Sequence, residues 1–80
     1  MYTVIVSQRV EPDDEYFPNG RMRLKRHKVH TLAAAKALAD ERMGRSTGVG
    51  IVIEVEDREG RIKYRIERNP CGDINRDMLV

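Results

Sequence analysis

Ten consecutive residues, RMRLKRHKVH from Arg21 to His30, place Arg21, Arg23, Lys25, Arg26 and Lys28 beside two histidines with no acid among them. Guanidinium and ammonium groups at this density suit phosphate, through the planar arginine fork and through simple charge neutralisation. Lys28 and His30 also lie next to Thr31, which precedes an alanine-rich segment and is expected to cap a helix. No acid occupies the first turn of that segment, so its N-terminal N–H groups and the positive end of its dipole add to an anion-attracting corner. Further along, Lys63 and Arg65 supply the same chemistry. The candidate nucleic-acid or anion-binding set is therefore Arg21, Arg23, Lys25, Lys28, His30, Lys63 and Arg65.

Other chemistries find less support. His27 and His30 have the spacing H-x-x-H, which on an extended strand turns the two rings to opposite faces, and Cys71 is the only cysteine. No metal site and no cofactor are expected. The loop GRSTGVG (Gly44–Gly50) is glycine-rich, but it leaves a helix and enters a strand, the reverse of a phosphate-cradling loop. Glu11, Asp13, Asp14 and Glu15 do not follow the spacing of a calcium loop. No serine or cysteine nucleophile has a base in a suggestive position, so a non-catalytic protein is expected.

The elements that position these residues are legible from periodicity. Tyr2–Val10 is β-branched and apolar on both parities, as in a buried strand. Glu11–Gly20 holds four acids, two prolines and Asn-Gly, and reads as a loop. Residues 21–29 alternate at first, with Met22 and Leu24 inward and Arg21, Arg23 and Lys25 outward. A helix over about 32–43 presents Leu32, Ala35, Leu38, Ala39 and Met43 on one stripe, with Gly44 as its C-cap. Residues 49–56 and 61–68 form two more strands joined by the turn Asp57–Gly60, the second with Ile62, Tyr64 and Ile66 inward and Arg61, Lys63 and Arg65 outward. Asn69-Pro70 stops the last strand, and residues 69–80 are expected to be irregular.

One domain spanning 1–80 follows, of α+β class: a two-layer ββαββ fold with a four-stranded antiparallel sheet of order 2-1-3-4 and one helix on one face. This order places the apolar strands centrally and makes edges of the two charged ones, where lysine and arginine discourage association between sheets. The net charge of +2 by itself argues for no partner. No apolar run is long enough to cross a membrane. A lone cysteine and the lack of a secretory pattern at the start suggest a reducing, cytoplasmic setting.

From Met22 to Arg68 the chain resembles small uncharacterised bacterial ββαββ proteins of the domain-of-unknown-function kind. The resemblance is carried by Thr31 opening TLAAAKALA, by the strand GIVIEV and by the hairpin DREGRI. It implies the fold and no activity.

On the face without the helix, the expectation is a mildly apolar floor of Thr3, Ile5, Ser7, Gly50, Val52 and Glu54 between two basic rims. Exposed Ile5 and Val52 would favour a homodimer or a protein partner on that face, with Tyr16 and Phe17 as further anchors. Nucleic acid is the alternative partner. It would be held through phosphates, since Tyr2 and Tyr64 point toward the helix and leave no stacking platform.

Overall fold

Period-two patterning and one alanine stripe build an antiparallel sheet with a helix across it. The computed structural model describes every residue except 12–14, 17, 19, 47–49, 70, 79 and 80, with residue 78 described by its backbone alone. Its elements are β1 (Tyr2–Arg9), β2 (Arg21–Val29), α1 (Leu32–Arg45), β3 (Ile51–Glu56), β4 (Ile62–Arg68) and β5 (Ile74–Met78). The strand order is β2-β1-β3-β4-β5, antiparallel throughout.

The order 2-1-3-4 is present within this sheet, but the sheet has five strands, not four. The tail does not run irregularly past Asn69; it turns back and pairs Ile74 with Arg68, Arg76 with Ile66 and Met78 with Tyr64. Asn69 makes the reversal. Its Oδ1 accepts the backbone N–H groups of Cys71 (3.0 Å) and Asp73 (2.9 Å), and Gly72 takes the positive φ of 90° that the turn requires. Asn-Pro here is therefore a turn signal as well as a strand stop. As a consequence β4 is internal, and the edges of the sheet are β2 and β5.

The helix buries Ala35, Ala39 and Met43, spaced i, i+4 and i+8, against Val4, Ile51, Ile53, Val55, Tyr64 and Ile66. Alanine at two of three contact positions lets the helix backbone approach the sheet closely. The helix packs over β1, β3 and β4, touches β2 lightly and meets β5 through the Asp40–Arg76 ion pair at 3.6 Å.

Thr31 caps the N-terminus by accepting the Ala34 N–H at 3.1 Å. At the other end the helix runs through Gly44 to Arg45, two residues beyond the expected stop, and Ser46 is the C-cap. The terminal carbonyls are met from the sheet: the Arg68 guanidinium donates to Ser46 O and, at 3.2 Å, to Met43 O. A tertiary contact thus takes the place of the glycine cap.

Replacing Asn69 with Ala removes both side-chain bonds of the turn. The expected result is faster amide exchange in β5, with protection at Ile53 in the core unchanged, read by hydrogen-exchange mass spectrometry. Equal protection of β5 in the variant would show that Asn69 does not hold the strand.

Candidate functional site

Because facing residues share a face of the sheet, the register places each charged side chain. On the face away from α1, β1 contributes Thr3, Ile5, Ser7 and Arg9. These stand between Lys28, Arg26, Arg23 and Arg21 of β2 on one side and Glu56, Glu54 and Val52 of β3 on the other. β4 adds Arg65 and Glu67, facing Asp77 and Asn75 of β5.

This open face is closed by ion pairs. Glu67 takes two guanidinium groups: Arg9 through Nε (2.7 Å) and Nη2 (3.0 Å), and Arg65 through Nη2 (2.8 Å). The Arg9 hydrogen bond, helped by the charges of Arg9 and Arg65, holds the Glu67 carboxyl below its ordinary value despite partial burial. Arg21 donates from Nη1 to Glu54 Oε1 at 2.8 Å, and the Glu54 side chain is only 11% exposed.

The expected apolar floor is not exposed. Ile5 is 4% exposed and Val52 0%, covered within the protomer by the long side chains around them. They expose almost no apolar surface to a protein partner while those side chains stay in place. Tyr16 is 71% exposed, and Phe17, the other expected anchor, lies outside the described residues.

Nor do two basic rims flank this face. Arg65 is held by Glu67. Lys63 is the extra residue of a bulge: Val55 faces Tyr64, but Glu56 faces Ile62, which turns Ile62 to the open side. The Lys63 ammonium lies 3.9 Å from Asp57, whose carboxylate also accepts the N–H groups of Glu59 and Arg61 in the hairpin turn.

A second bulge changes β2. Val6 faces Lys25 and Ser7 faces Arg23, so Leu24 is the extra residue and alternation resets there. Lys25, expected beside Arg21 and Arg23 on the open face, lies on the helix side; Arg26 and Lys28 take the open face instead. Leu24, expected in the core, is 45% exposed. It lines a groove of about 260 Å³ with Val6, Lys25, Arg42, Arg45 and Ser46 between β2 and the end of α1.

The result is one edge strand with cations on both sides. Arg23, Lys25, Arg26 and Lys28 are all exposed, and among the described residues none pairs with a carboxylate. Sequence reasoning named Arg26 in the basic run but left it out of the candidate set, and it missed Arg42 and Arg45, which stand with Leu24 and Lys25 on the helix side. Their basic character was visible, but the groove that gathers them was not. His30 is exposed next to the capped helix N-terminus. His27 faces Val4 and has its Nε2 buried without a partner. Among the described residues, no three His, Cys, Asp or Glu side chains converge as metal ligands would.

No protein-family model, no curated protein and no solved structure matches the chain.

The pairing around Glu67 sets an acid limit. A carboxyl with a lowered value in the folded state stabilises above its unfolded value, here 4.5, and loses that contribution as pH falls through the folded one. Thermal melts should show the loss below about pH 4.5. Glu67→Gln should flatten that part of the profile, and an unchanged profile in the variant would contradict the assignment.

Proposed function

We propose that the protein is a non-catalytic binding module that engages nucleic acid through the phosphate backbone along β2. The observation that carries this reading is the asymmetry of charge compensation. Arg9 and Arg65 of the inner strands have a carboxylate partner and Arg68 is held by carbonyls at the end of α1, whereas Arg23, Lys25, Arg26 and Lys28 on the edge have no carboxylate partner among the described residues. The strip from Arg21 to Lys28 is about 23 Å long at the rise of a β-strand. Duplex DNA carries one phosphate per 3.4 Å of each strand, so several phosphates fall within reach. Arg42 extends the strip around the edge to the helix side, next to Arg45, which pairs with Glu41 at 2.8 Å.

The aromatic side chains support phosphate contact over base stacking. Tyr64 is buried, donating its hydroxyl to Asp40 at 2.7 Å, and Tyr2 packs against the core. Single strands, which need stacking platforms for tight binding, should therefore gain no advantage over duplex. His30 and the helix N-terminus lie at the end of the strip, where a terminal phosphate would complete it.

A homodimer or protein partner on the open face is the second reading. It would use Tyr16 and charged side chains, because Ile5 and Val52 are covered. A cytoplasmic location suits either reading, and no helix among the described residues is long and apolar enough to cross a membrane.

With four free cations on β2, the logarithm of duplex affinity should fall against the logarithm of salt with a slope of about −3 to −4. Each single change of Arg23, Lys25, Arg26 or Lys28 to Gln should reduce that slope by about one. Lys63→Gln should leave it unaltered. No retention on duplex DNA at low salt, or equal loss from Lys63→Gln, would overturn the reading.

A further inference from the structure

The open face also contains a concavity. Between β2 and β3, β1 forms the floor of a cleft of about 280 Å³ lined by Ile5, Ser7, Arg21, Arg23, Glu54 and Glu56. Its walls carry opposite charge, with two arginines on β2 and two glutamates on β3. Along β1, Arg21 stands opposite Arg9 and Glu54 opposite Ile5; Arg23 stands opposite Ser7 and Glu56 opposite Thr3. Arg21 to Glu54 and Arg23 to Glu56 are thus the same diagonal step, displaced by one pleat.

The first diagonal is closed by direct contact at 2.8 Å. The second is open: Arg23 and Glu56 each lack an ion-pair partner among the described residues. Ser7 sits on the floor, 5% exposed, and its hydroxyl has no hydrogen-bond partner among the described residues. An anion-binding fork, a carboxylate and a free hydroxyl therefore line one hollow.

We propose that this cleft binds a small zwitterion of the amino-acid type. Its carboxylate would lie on the Arg23 guanidinium, a geometry that favours paired hydrogen bonds. Its ammonium would lie on Glu56, and the Ser7 hydroxyl would bond to whichever end reaches the floor. A plain anion satisfies only the arginine wall and a plain cation only the glutamate wall, so the pairing selects molecules carrying both charges. The volume is at the low end for ligand sites and suits a single amino acid more than a larger metabolite. Ile5 beneath offers a small apolar contact.

The test is titration of the isotopically labelled protein with glycine, β-alanine and γ-aminobutyrate, followed by amide chemical shifts. Acetate and methylammonium serve as single-charge controls. At least one zwitterion should give saturable shifts at Ser7, Arg23 and Glu56 with a dissociation constant of about 1 mM. The best of the three reports the charge separation the cleft accepts, distinguishing α-amino acids from those with separated charges. Arg23→Gln and Glu56→Gln should each weaken binding about tenfold or more. Both residues are on the surface of the sheet, so the variants should fold, as the rest of the spectrum will show.

Absence of saturation by any zwitterion at about 100 mM overturns the proposal. So does acetate binding as tightly as the best zwitterion, or a Glu56→Gln variant that binds like the native protein. Glu56 has no part in phosphate contact, and duplex retention by Glu56→Gln separates this site from the β2 strip.

Discussion

Ala35, Ala39 and Met43 bring α1 down onto β1, β3 and β4, and this single helix covers one face of the sheet. Every other feature of the surface answers that limit. The covered side forms a dry layer in which Val4, Ile53, Val55 and Ile66 are fully buried. Losing one such aliphatic side chain typically costs about 2–5 kcal/mol, a large share of what a domain this small possesses. The uncovered side has no second helix, and it is closed by arginine and glutamate chains lying across Ile5 and Val52.

That closure consumes carboxylates. Glu67 holds two arginines and Glu54 holds one, in a layer only partly open to water. Exposed pairs of this kind contribute little to stability individually. Their larger effect is on availability: Arg9, Arg21 and Arg65 are held by the protein's own carboxylates, while Arg23, Lys25, Arg26 and Lys28 of β2 are not. The same charges protect the edge, since two copies of β2 brought side by side would oppose lysine and arginine to one another. Edge protection and phosphate contact are compatible uses of one strip.

Much of this architecture could be read from residues alone. Apolar runs in β1 and β3 and the basic run in β2 located the centre and one edge, and the alanine stripe located the helix. β5 was hidden because INRDM has neither apolar density nor β-branched enrichment beyond Ile74, and its pairing depends on the Asn69 turn. Side-chain direction failed at both bulges. Leu24 and Lys63 each add one residue, a difference that alternation cannot announce in advance, and each shift turned a neighbour to the other face. Lys25 exchanged places with Arg26 for this reason. The cover over Ile5 and Val52 was also illegible, because it depends on long side chains folding across the sheet from adjacent strands.

The basic residues divide into those held by the protein and those left for a partner, and residue-resolved mapping of duplex binding tests that division most directly. On addition of a short DNA duplex at low salt, amide shifts should concentrate on Arg23 to Lys28 and around Arg42, with Arg9, Lys63 and Arg65 unmoved. Shifts centred on Arg9 and Arg65, or spread evenly over the sheet, would contradict it.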